Sequence, residues 1–333
     1  MELNATQKRL VTLLFMQGGT SRATLADSLG VSKPGLTQSV KPLLDEKILL
    51  LGEKISTGRA GRNQEPLRLN PEYGYFLGVD IRKHNCYTCL LDFAGSLVEE
   101  NRFLDLEGLR SYIEGISSTR KLLEVAFTMR GYSDEERFLA GRPDFDVLKK
   151  RLERKQIPTH FVNNVEALGN VYHLYHQEER NFLLIKYGPG LGSAIFIGGK
   201  SLRKEGSRSS EIGHSYLAGG KTLEETISFE ALFHKETEEE EGAELLQLDK
   251  EKSEWVFSTL ALSVLDADCL LGLDRIVLTG AFLSKKENKD ELVSYIRKLY
   301  KSFDGNKVTG MDSYDELNRR KGALQAFLDL YLA

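Results

Sequence analysis

The chain has 333 residues, of which 41% are hydrophobic and 28% are charged, a composition typical of a soluble globular protein with two or three compact units. No apolar run approaches the ~20 residues that cross a bilayer, no signal peptide is recognisable, and three cysteines are too few for a disulfide framework. These features exclude membrane-spanning and disulfide-scaffold classes and predict a cytoplasmic protein.

The charge is unevenly distributed along the chain. Residues 1–70 contain ten Lys/Arg and six Asp/Glu, a net charge of +4. Since the whole chain has 45 and 49, the remainder has 35 and 43, a net charge of −8. A basic N-terminal unit on an acidic body predicts that the small unit contacts a polyanion.

Residues 1–70 have the pattern of a helix-turn-helix. The apolar spacing predicts a first helix over Thr6–Phe15 and a second over Arg22–Leu29, capped by Ser21. Gly30 makes a tight turn, and Ser32 caps a third helix. In a helix-turn-helix of this kind, the third helix is the recognition helix and lies in the major groove of DNA.

The third helix has its apolar residues at offsets of four, seven and eight from Leu36, which leaves a polar outward face. The candidate DNA-binding residues on this face are Ser32, Lys33, Thr37, Gln38 and Lys41. Hydroxyl and amide groups suit base edges, while the lysines suit phosphates. A solvated helix face is the alternative, and the basic charge balance favours DNA. Pro42 predicts a kink or a shortened end of this helix.

The next segment has the pattern of a wing. Ile48–Ile55 and Glu65–Leu69 are predicted strands on either side of a basic loop that contains Arg59 and Arg62. These two arginines are candidates for contacts with the DNA backbone or with an A·T-rich minor groove.

A glycine-rich loop and an acidic segment follow one another between Ile185 and His214. Gly188, Gly190 and Gly192 separate two apolar runs predicted as strands, and their bare backbone N–H groups suit an anion or a sugar hydroxyl. The segment Glu211-Ile212-Gly213-His214 then supplies a carboxylate and an imidazole, which suit polyol recognition. An ordinary hairpin with a charged exit is the alternative.

These motifs resemble those of the ROK family, which groups sugar-responsive repressors with sugar kinases. The family has a G-x-G-x-G strand–loop–strand followed by G-E-x-G-H, and this chain matches at Gly188/Gly190/Gly192 and at 210–214. The resemblance implies an α/β fold, an N-terminal winged helix-turn-helix followed by a two-lobed actin-like, hexokinase-like (RNase H-like) ATPase fold.

The resemblance also implies the domain boundaries. Residues 1–70 are the predicted DNA-binding domain and residues 71–333 the sugar-kinase-like domain. Its first lobe spans about 71–165 with the C-terminal helix 319–333, and its second lobe spans about 166–318.

The chain departs from the family's kinases where ATP binds. The family's phosphate-binding hairpin has D-x-G-x-T, but here Asp80 is followed by Ile81-Arg82-Lys83-His84, without glycines. The family's later nucleotide-binding glycine pair is reduced to Gly280. These two departures predict loss of triphosphate binding.

The catalytic base of the kinases is missing as well. An aspartate in E-N-D-x-N deprotonates the sugar in the family, and alignment of Pro158–Asn170 places either Asn164 or Val162 there. Neither side chain accepts a proton near neutral pH. Asn163 and Asn164 are retained as candidate sugar ligands, with helix capping as the alternative role.

The family's zinc knuckle is lost, because Ser215–Glu224 contains no cysteine and Thr222 occupies the last cysteine position. No metal and no other cofactor is therefore predicted. Glu224 matches a sugar-facing glutamate of the family. The complete set of candidate sugar-binding residues is Asn163, Asn164, Glu211, His214 and Glu224.

The sequence thus predicts a DNA-binding repressor of carbohydrate genes, without kinase activity. Its predicted partners are a double-stranded DNA operator, a sugar effector bound between the lobes, and a second copy of the chain, packed through the apolar helix Trp255–Leu271. No membrane partner is predicted. The alternatives are an active ROK sugar kinase and a ligand-free scaffold relic of the family.

Overall fold

The computed structural model describes residues 3–52, 65–131, 134–204, 207, 209–233 and 248–331. Contacts divide the chain into two units. The first comprises Met1–Thr128, Phe138–Phe161 and Gly322–Ala333, and the second comprises Met129–Arg137 and Val162–Lys321.

The first unit begins with three helices: α1 (Ala5–Gln17), α2 (Arg22–Leu29) and α3 (Lys33–Asp45). Side chains cap each start, since Asn4 forms a capping box, the hydroxyl of Ser21 accepts from the Thr24 N–H, and that of Ser32 accepts from the Gly35 N–H.

The turn between α2 and α3 has the predicted geometry. Gly30 ends α2 in the left-handed conformation with φ +66°, which a residue without Cβ adopts at low cost. The sequence predicted that Pro42 kinks α3 or shortens its end. The helix continues through Pro42 to Asp45, so its end is not shortened there. Its buried residues Leu36, Val40 and Leu43 face the other helices.

A short hairpin follows these helices. Its strands β1 (Leu49–Leu51) and β2 (Leu67–Leu69) pair in antiparallel register, and Thr20 bridges to Leu67. The predicted strands are therefore shorter than expected within the described residues. The wing arginines Arg59 and Arg62 lie outside the described residues.

The rest of the first unit is built on a five-stranded sheet of order β5-β4-β3-β6-β7. Its strands are β3 (Tyr75–Ile81), β4 (Cys86–Asp92), β5 (Leu97–Phe103), β6 (Leu122–Met129) and β7 (Thr159–Asn163). The helices beside them are α4 (Leu106–Thr119), α5 (Glu135–Gly141) and α6 (Pro143–Arg154). β3 and β6 are buried along almost their whole length, which places the sheet at the centre of this core.

An aromatic cluster packs α1 against this core. The ring of Phe15 stacks on that of Phe327 with centroids 3.8 Å apart, and Phe327 contacts Phe76 and Tyr331. Gly95 has φ +83°, and a Cβ there would lie 3.0 Å from the Phe15 ring. Buried apolar surface therefore joins α1 to the rest of the first unit.

The second unit contains the other sheet, of order β10-β9-β8-β11-β12. β8 (Phe182–Tyr187) and β9 (Leu191–Ile197) form the predicted hairpin, β10 (Lys200–Ser201) extends it, and β11 (Arg275–Thr279) and β12 (Val308–Gly310) add in parallel.

The helices of the second unit include α7 (Asn164–Tyr175), the short α8 (Leu223–Ile227) and α9 (Phe229–Phe233), α10 (Lys250–Leu271) and α11 (Lys286–Leu299). A final helix, α12 (Tyr314–Tyr331), begins in this unit and ends in the first. Leucine, isoleucine and phenylalanine side chains of α10 and α11 pack on one face of the sheet and form its main core. In the described ranges, no helix combines the length and apolar character that crossing a membrane requires.

Candidate functional site

An open cavity with about 630 Å³ of empty space lies within the second unit. Its walls come from the β8–β9 hairpin, the start of α7, the segment 209–214 and α8. The five candidate sugar-binding residues all line it: Asn163, Asn164, Glu211, His214 and Glu224. The fold therefore brings together side chains that lie up to 61 positions apart in the sequence, the interval from 163 to 224.

The glycines of the β8–β9 turn make room for neighbouring parts of the site. A Cβ on Gly190 would lie 2.4 Å from a carboxylate oxygen of Glu224, and one on Gly192 would lie 2.6 Å from a methyl of Val165. The sequence predicted glycines that bare the backbone for a ligand. The structure shows that these two allow α8 and α7 to approach the turn.

Asn163 has the helix-capping role given as its alternative. Its side-chain oxygen accepts from the N–H groups of Val165 and Glu166 at 2.9 and 3.3 Å. Asn164 is the first residue of α7 and lines the cavity, whereas Val162 is buried within β7. Of the two aligned positions for the kinase base, the amide is the one that faces the cavity.

Glu211 is held from two sides. Its Oε1 accepts from Nη1 of Arg203 at 2.5 Å, and its Oε2 lies 3.0 Å from Nε2 of His214. The backbone around it is fixed by Ser193, whose hydroxyl donates to the Ser210 carbonyl and accepts from the Ile212 N–H. Ser210 has φ +70°, an unfavourable conformation that these hydrogen bonds maintain.

Glu224 supports the glycine turn. Its Oε1 accepts from the Leu191 N–H at 3.0 Å, which leaves its second oxygen for other contacts. Gly213 allows this arrangement, because a Cβ there would lie 2.2 Å from the Leu191 carbonyl oxygen. The glycine of the E-I-G-H segment is thus required by packing.

The segment that replaces the family's zinc knuckle is closed by hydrogen bonds. Thr222 caps α8 in a reciprocal capping box with Glu225, and the Leu217 N–H donates to the Lys221 carbonyl. The backbone N–H of Thr222 and its hydroxyl both donate to Glu225, which lowers the pKa of this carboxyl. Among the described residues, no cluster of three or more His, Cys, Asp or Glu side chains could hold a metal ion.

Sequence analysis missed three cations at the cavity: Arg130, Lys186 and Arg203. Lys186 lies near the end of β8 and is only 5% exposed. The one available signal was a lysine within a fully apolar strand, which is unusual unless it is paired. Nothing in the local sequence marks Arg203, because its partners come from other segments.

The five candidate DNA-binding residues in α3 and its cap are all exposed: Ser32, Lys33, Thr37, Gln38 and Lys41. Two of their hydroxyls are already engaged. Ser32 caps the helix, and the Thr37 hydroxyl donates to the Lys33 carbonyl. The amide of Gln38 and the two ammonium groups project from the same helix.

The hairpin that would hold phosphate in a kinase is filled by side chains. Asp80 accepts from the hydroxyl of Thr128 at 2.6 Å and from Nε of Arg82 at 3.1 Å. The guanidinium of Arg82 lies over the ring of Tyr87, 4.0 Å from its centroid, and the side chain is 9% exposed. Arg82 therefore lies against its own hairpin.

Gly280 also has a structural role. It adopts φ +95°, and a Cβ there would lie 2.1 Å from the Tyr187 carbonyl oxygen. The glycine retained from the family's nucleotide-binding pair is needed for the approach of β11 to β8, whether or not a nucleotide binds.

The fold and the site define a class: an α/β protein with the architecture of sugar kinases, preceded by three helices and a hairpin. The chain is similar to a solved ROK family transcriptional regulator described as a homolog of the E. coli Mlc protein. The TM-score is 0.72 at 17% identity, over 98% of this chain and 96% of that one. The ROK hexokinase of Thermus thermophilus is similar over 78% of this chain and all of its own, with a TM-score of 0.61 and 17% identity.

The sequence relatives are named repressors. The chain is 24% identical over 236 residues to the xylose repressor of Staphylococcus xylosus, covering 65% of this chain and 61% of the relative. It is 23% identical over 229 residues to that of Bacillus subtilis, covering 62% and 59%. The matches thus span about three fifths of these relatives, and no protein-family model matches the chain. The predicted α/β fold and the resemblance to ROK family repressors are confirmed. The assignment of the N-terminal helices and hairpin as a DNA-binding winged helix-turn-helix stays a prediction.

Proposed function

We propose that this protein is a DNA-binding transcriptional repressor of carbohydrate genes whose effector is a sugar or sugar derivative. The observation that carries the proposal is the convergence of Asn164, Glu211, His214 and Glu224 in one cavity, in a chain that begins with an exposed, basic helix-turn-helix. The xylose repressors among its sequence relatives support the same function.

The DNA half of the proposal rests on α3. Gln38 and Thr37 read base edges of a double-stranded operator, and Lys33 and Lys41 contact phosphates. Their exposure on a helix whose opposite side is buried supports this assignment. Arg59 and Arg62 of the wing add backbone or minor-groove contacts.

The sugar half of the proposal rests on the acceptors and donors of the cavity. A carboxylate has about four lone-pair sites, so Glu211 retains capacity for sugar hydroxyls after bonding Arg203 and His214. Asn164 and His214 offer further polar atoms. The described cavity residues all belong to the second unit, which supports a sugar site formed by these residues. Effector binding then acts through linkage, by favouring one conformation over another.

The second copy of the chain packs on α10. This helix exposes Trp255, Leu262 and Leu270, which are 51%, 50% and 82% exposed, while another of its faces is buried in the core of the second unit. Apolar side chains of this size on a surface mark an interaction site. A dimer places two α3 helices on operator half-sites about 34–36 Å apart.

The protein has no kinase activity in this proposal. Asn164 replaces the base, Arg82 fills the phosphate hairpin, and Gly280 is used in packing. The fold of the ROK hexokinase favours the alternative of an active sugar kinase. Incubation with labelled ATP and a sugar panel decides between them, since phosphate on any sugar contradicts the proposal.

The decisive experiment for DNA binding is a mobility-shift assay with promoter fragments from the protein's own locus. We expect a shift at low salt that a sugar of the panel changes. Failure to shift any fragment contradicts the proposal. Shifts without any sugar response favour the remaining alternative, a relic that has lost its ligand.

A further inference from the structure

Arg203 contacts three separate parts of the cavity wall. Its Nη1 donates to Glu211 at 2.5 Å, its Nη2 donates to the Ser193 carbonyl at 3.1 Å, and its Nε lies 3.3 Å from Glu166. The side chain is only 3% exposed. One guanidinium therefore joins three separate elements: the segment 209–214, β9 and α7.

Two of these elements carry candidate sugar-binding residues, Asn164 on α7 and Glu211 and His214 on the segment 209–214. Glu166 lies on α7, two residues after Asn164, and Ser193 fixes the backbone on both sides of Glu211. Arg203 thus sets the separation between the amide on one wall and the carboxylate on another. Both of its Nη groups donate to protein acceptors, so it acts on a ligand through Glu211.

The carboxylate of Glu211 is held by other side chains and not by a capping hydrogen bond to the backbone. This residue precedes the short 3-10 helix Ile212–His214 as the N-cap residue, but its side chain makes no capping hydrogen bond. The carboxylate is directed to Arg203 and His214 instead. Without the guanidinium, the partly buried carboxylates of Glu166 and Glu211 would both lose the cation with which they pair, which is unfavourable.

We propose that Arg203 is a positioning residue for the sugar effector, and that it holds Glu211 and α7 in the geometry that binds the sugar. This inference rests on the proposed sugar-binding function. A planar fork that donates to two acceptors and forms an ion pair with a third group in another direction is specific to arginine, since lysine offers a point charge. Preorganisation of this kind raises affinity by removing the cost of ordering the site on binding.

The test compares Arg203→Met and Arg203→Lys with a matched control, Arg275→Met. Arg275 also joins a carboxylate and a backbone carbonyl in the same unit, since its Nε donates to Glu179 and its Nη1 to the Asn306 carbonyl, both at 2.6 Å. Its side chain is more exposed, at 31%, and does not line the cavity. Sugar affinity is measured by calorimetry and thermal shift with a panel of four sugars: xylose, glucose, sucrose and N-acetylmannosamine.

We expect Arg203→Met to weaken sugar binding about tenfold or more and Arg203→Lys about threefold, while Arg275→Met changes it less than about twofold. Both methionine variants lose stability, so a change in melting temperature alone does not separate them. Equal losses of affinity in Arg203→Met and Arg275→Met, or full affinity in Arg203→Met, would overturn the inference.

Glu166→Gln keeps the experiment decisive if Arg203→Met does not fold. This variant retains the Arg203–Glu211 pair and removes only the charged tether to α7, so a loss of about two- to threefold is expected. Unchanged sugar affinity in both Glu166→Gln and Arg203→Lys would overturn the inference about Arg203 but would leave the proposed sugar-binding function standing. If no sugar stabilises the wild-type protein, the proposed effector function fails, and the inference fails with it.

Discussion

The two candidate surfaces of this protein differ in how they are built. The candidate DNA-binding residues lie exposed on α3 and its cap, and the hydrogen bonds of Ser32 and Thr37 stay within that helix and its cap. The candidate sugar-binding residues come from β7, α7, the 209–214 segment and α8, and two of them bond distant parts of the chain, Glu211 to Arg203 and Glu224 to the Leu191 N–H. Substitutions on α3 should therefore change binding but not folding, whereas substitutions at the cavity should change both.

The largest effect is expected at Glu211. Glu211→Gln keeps the shape of the side chain but removes the charge that hydroxyls and Arg203 share, so we expect about a 30–100-fold loss of sugar affinity, or loss of the sugar response. DNA binding without sugar should remain. Titration of the panel sugars against wild type and variant measures this, and an unchanged response would place the effector site elsewhere.

The next largest effect is expected at Gly213. The added methyl of Gly213→Ala would lie 2.2 Å from the Leu191 carbonyl oxygen, and backbone on both sides must move. We expect a loss of about 2–3 kcal/mol in the free energy of unfolding. Gly115→Ala is the matched control, because a Cβ there meets nothing within 4 Å and the residue lies inside α4. Chemical denaturation of both variants checks the difference, and equal stability would show that the site relaxes easily.

On α3 the expected pattern is reversed. Gln38→Ala should cost about 1–3 kcal/mol of operator discrimination and relax specificity at one base pair. Its effect on unfolding should stay within about 0.5 kcal/mol, because the side chain is exposed. Lys41→Ala should weaken binding to all sequences and reduce the salt slope by about one. A loss of stability in either variant without a change in DNA binding would contradict the assignment of this face.

The smallest effect concerns a buried carboxyl of the first unit that belongs to neither surface. Burial, and then the neighbouring Asp329, raise the pKa of Glu124 from 4.5 to about 9. Asp329 in turn faces His160 at 3.6 Å and accepts from Gln325. Between pH 4.5 and about 9, Glu124 is therefore protonated in the folded protein but ionised in the unfolded chain. The free energy of unfolding falls as the pH rises through this range.

Glu124→Gln should remove much of this pH dependence. We expect the variant to be more stable than wild type at pH 8 by on the order of 1 kcal/mol, and no more stable at pH 4, where the wild-type carboxyl is protonated in both states. Thermal unfolding at the two pH values measures this. An identical pH profile in the variant would show that Glu124 is ionised in the fold.

The sequence by itself determined the local structure. The caps Ser21 and Ser32, the glycine turn at Gly30 and the apolar spacing of α3 predict those helices because each signal acts within a few residues of the chain. The ordered string from Gly188 to His214 predicted the family fold, and with it the residues that meet in the cavity. Short-range rules and a motif were sufficient for these.

Only the tertiary structure decided what the site residues do. It shows that Asn163 caps α7, that Gly190 and Gly213 serve close packing, and that Arg203 joins Glu211 to Glu166. These roles depend on contacts between segments far apart in the chain, where no periodicity or cap signals the partner. Arg203 is positioned by the Glu211 carboxylate, the Ser193 carbonyl and the nearby charge of Glu166, which the fold alone brings within reach.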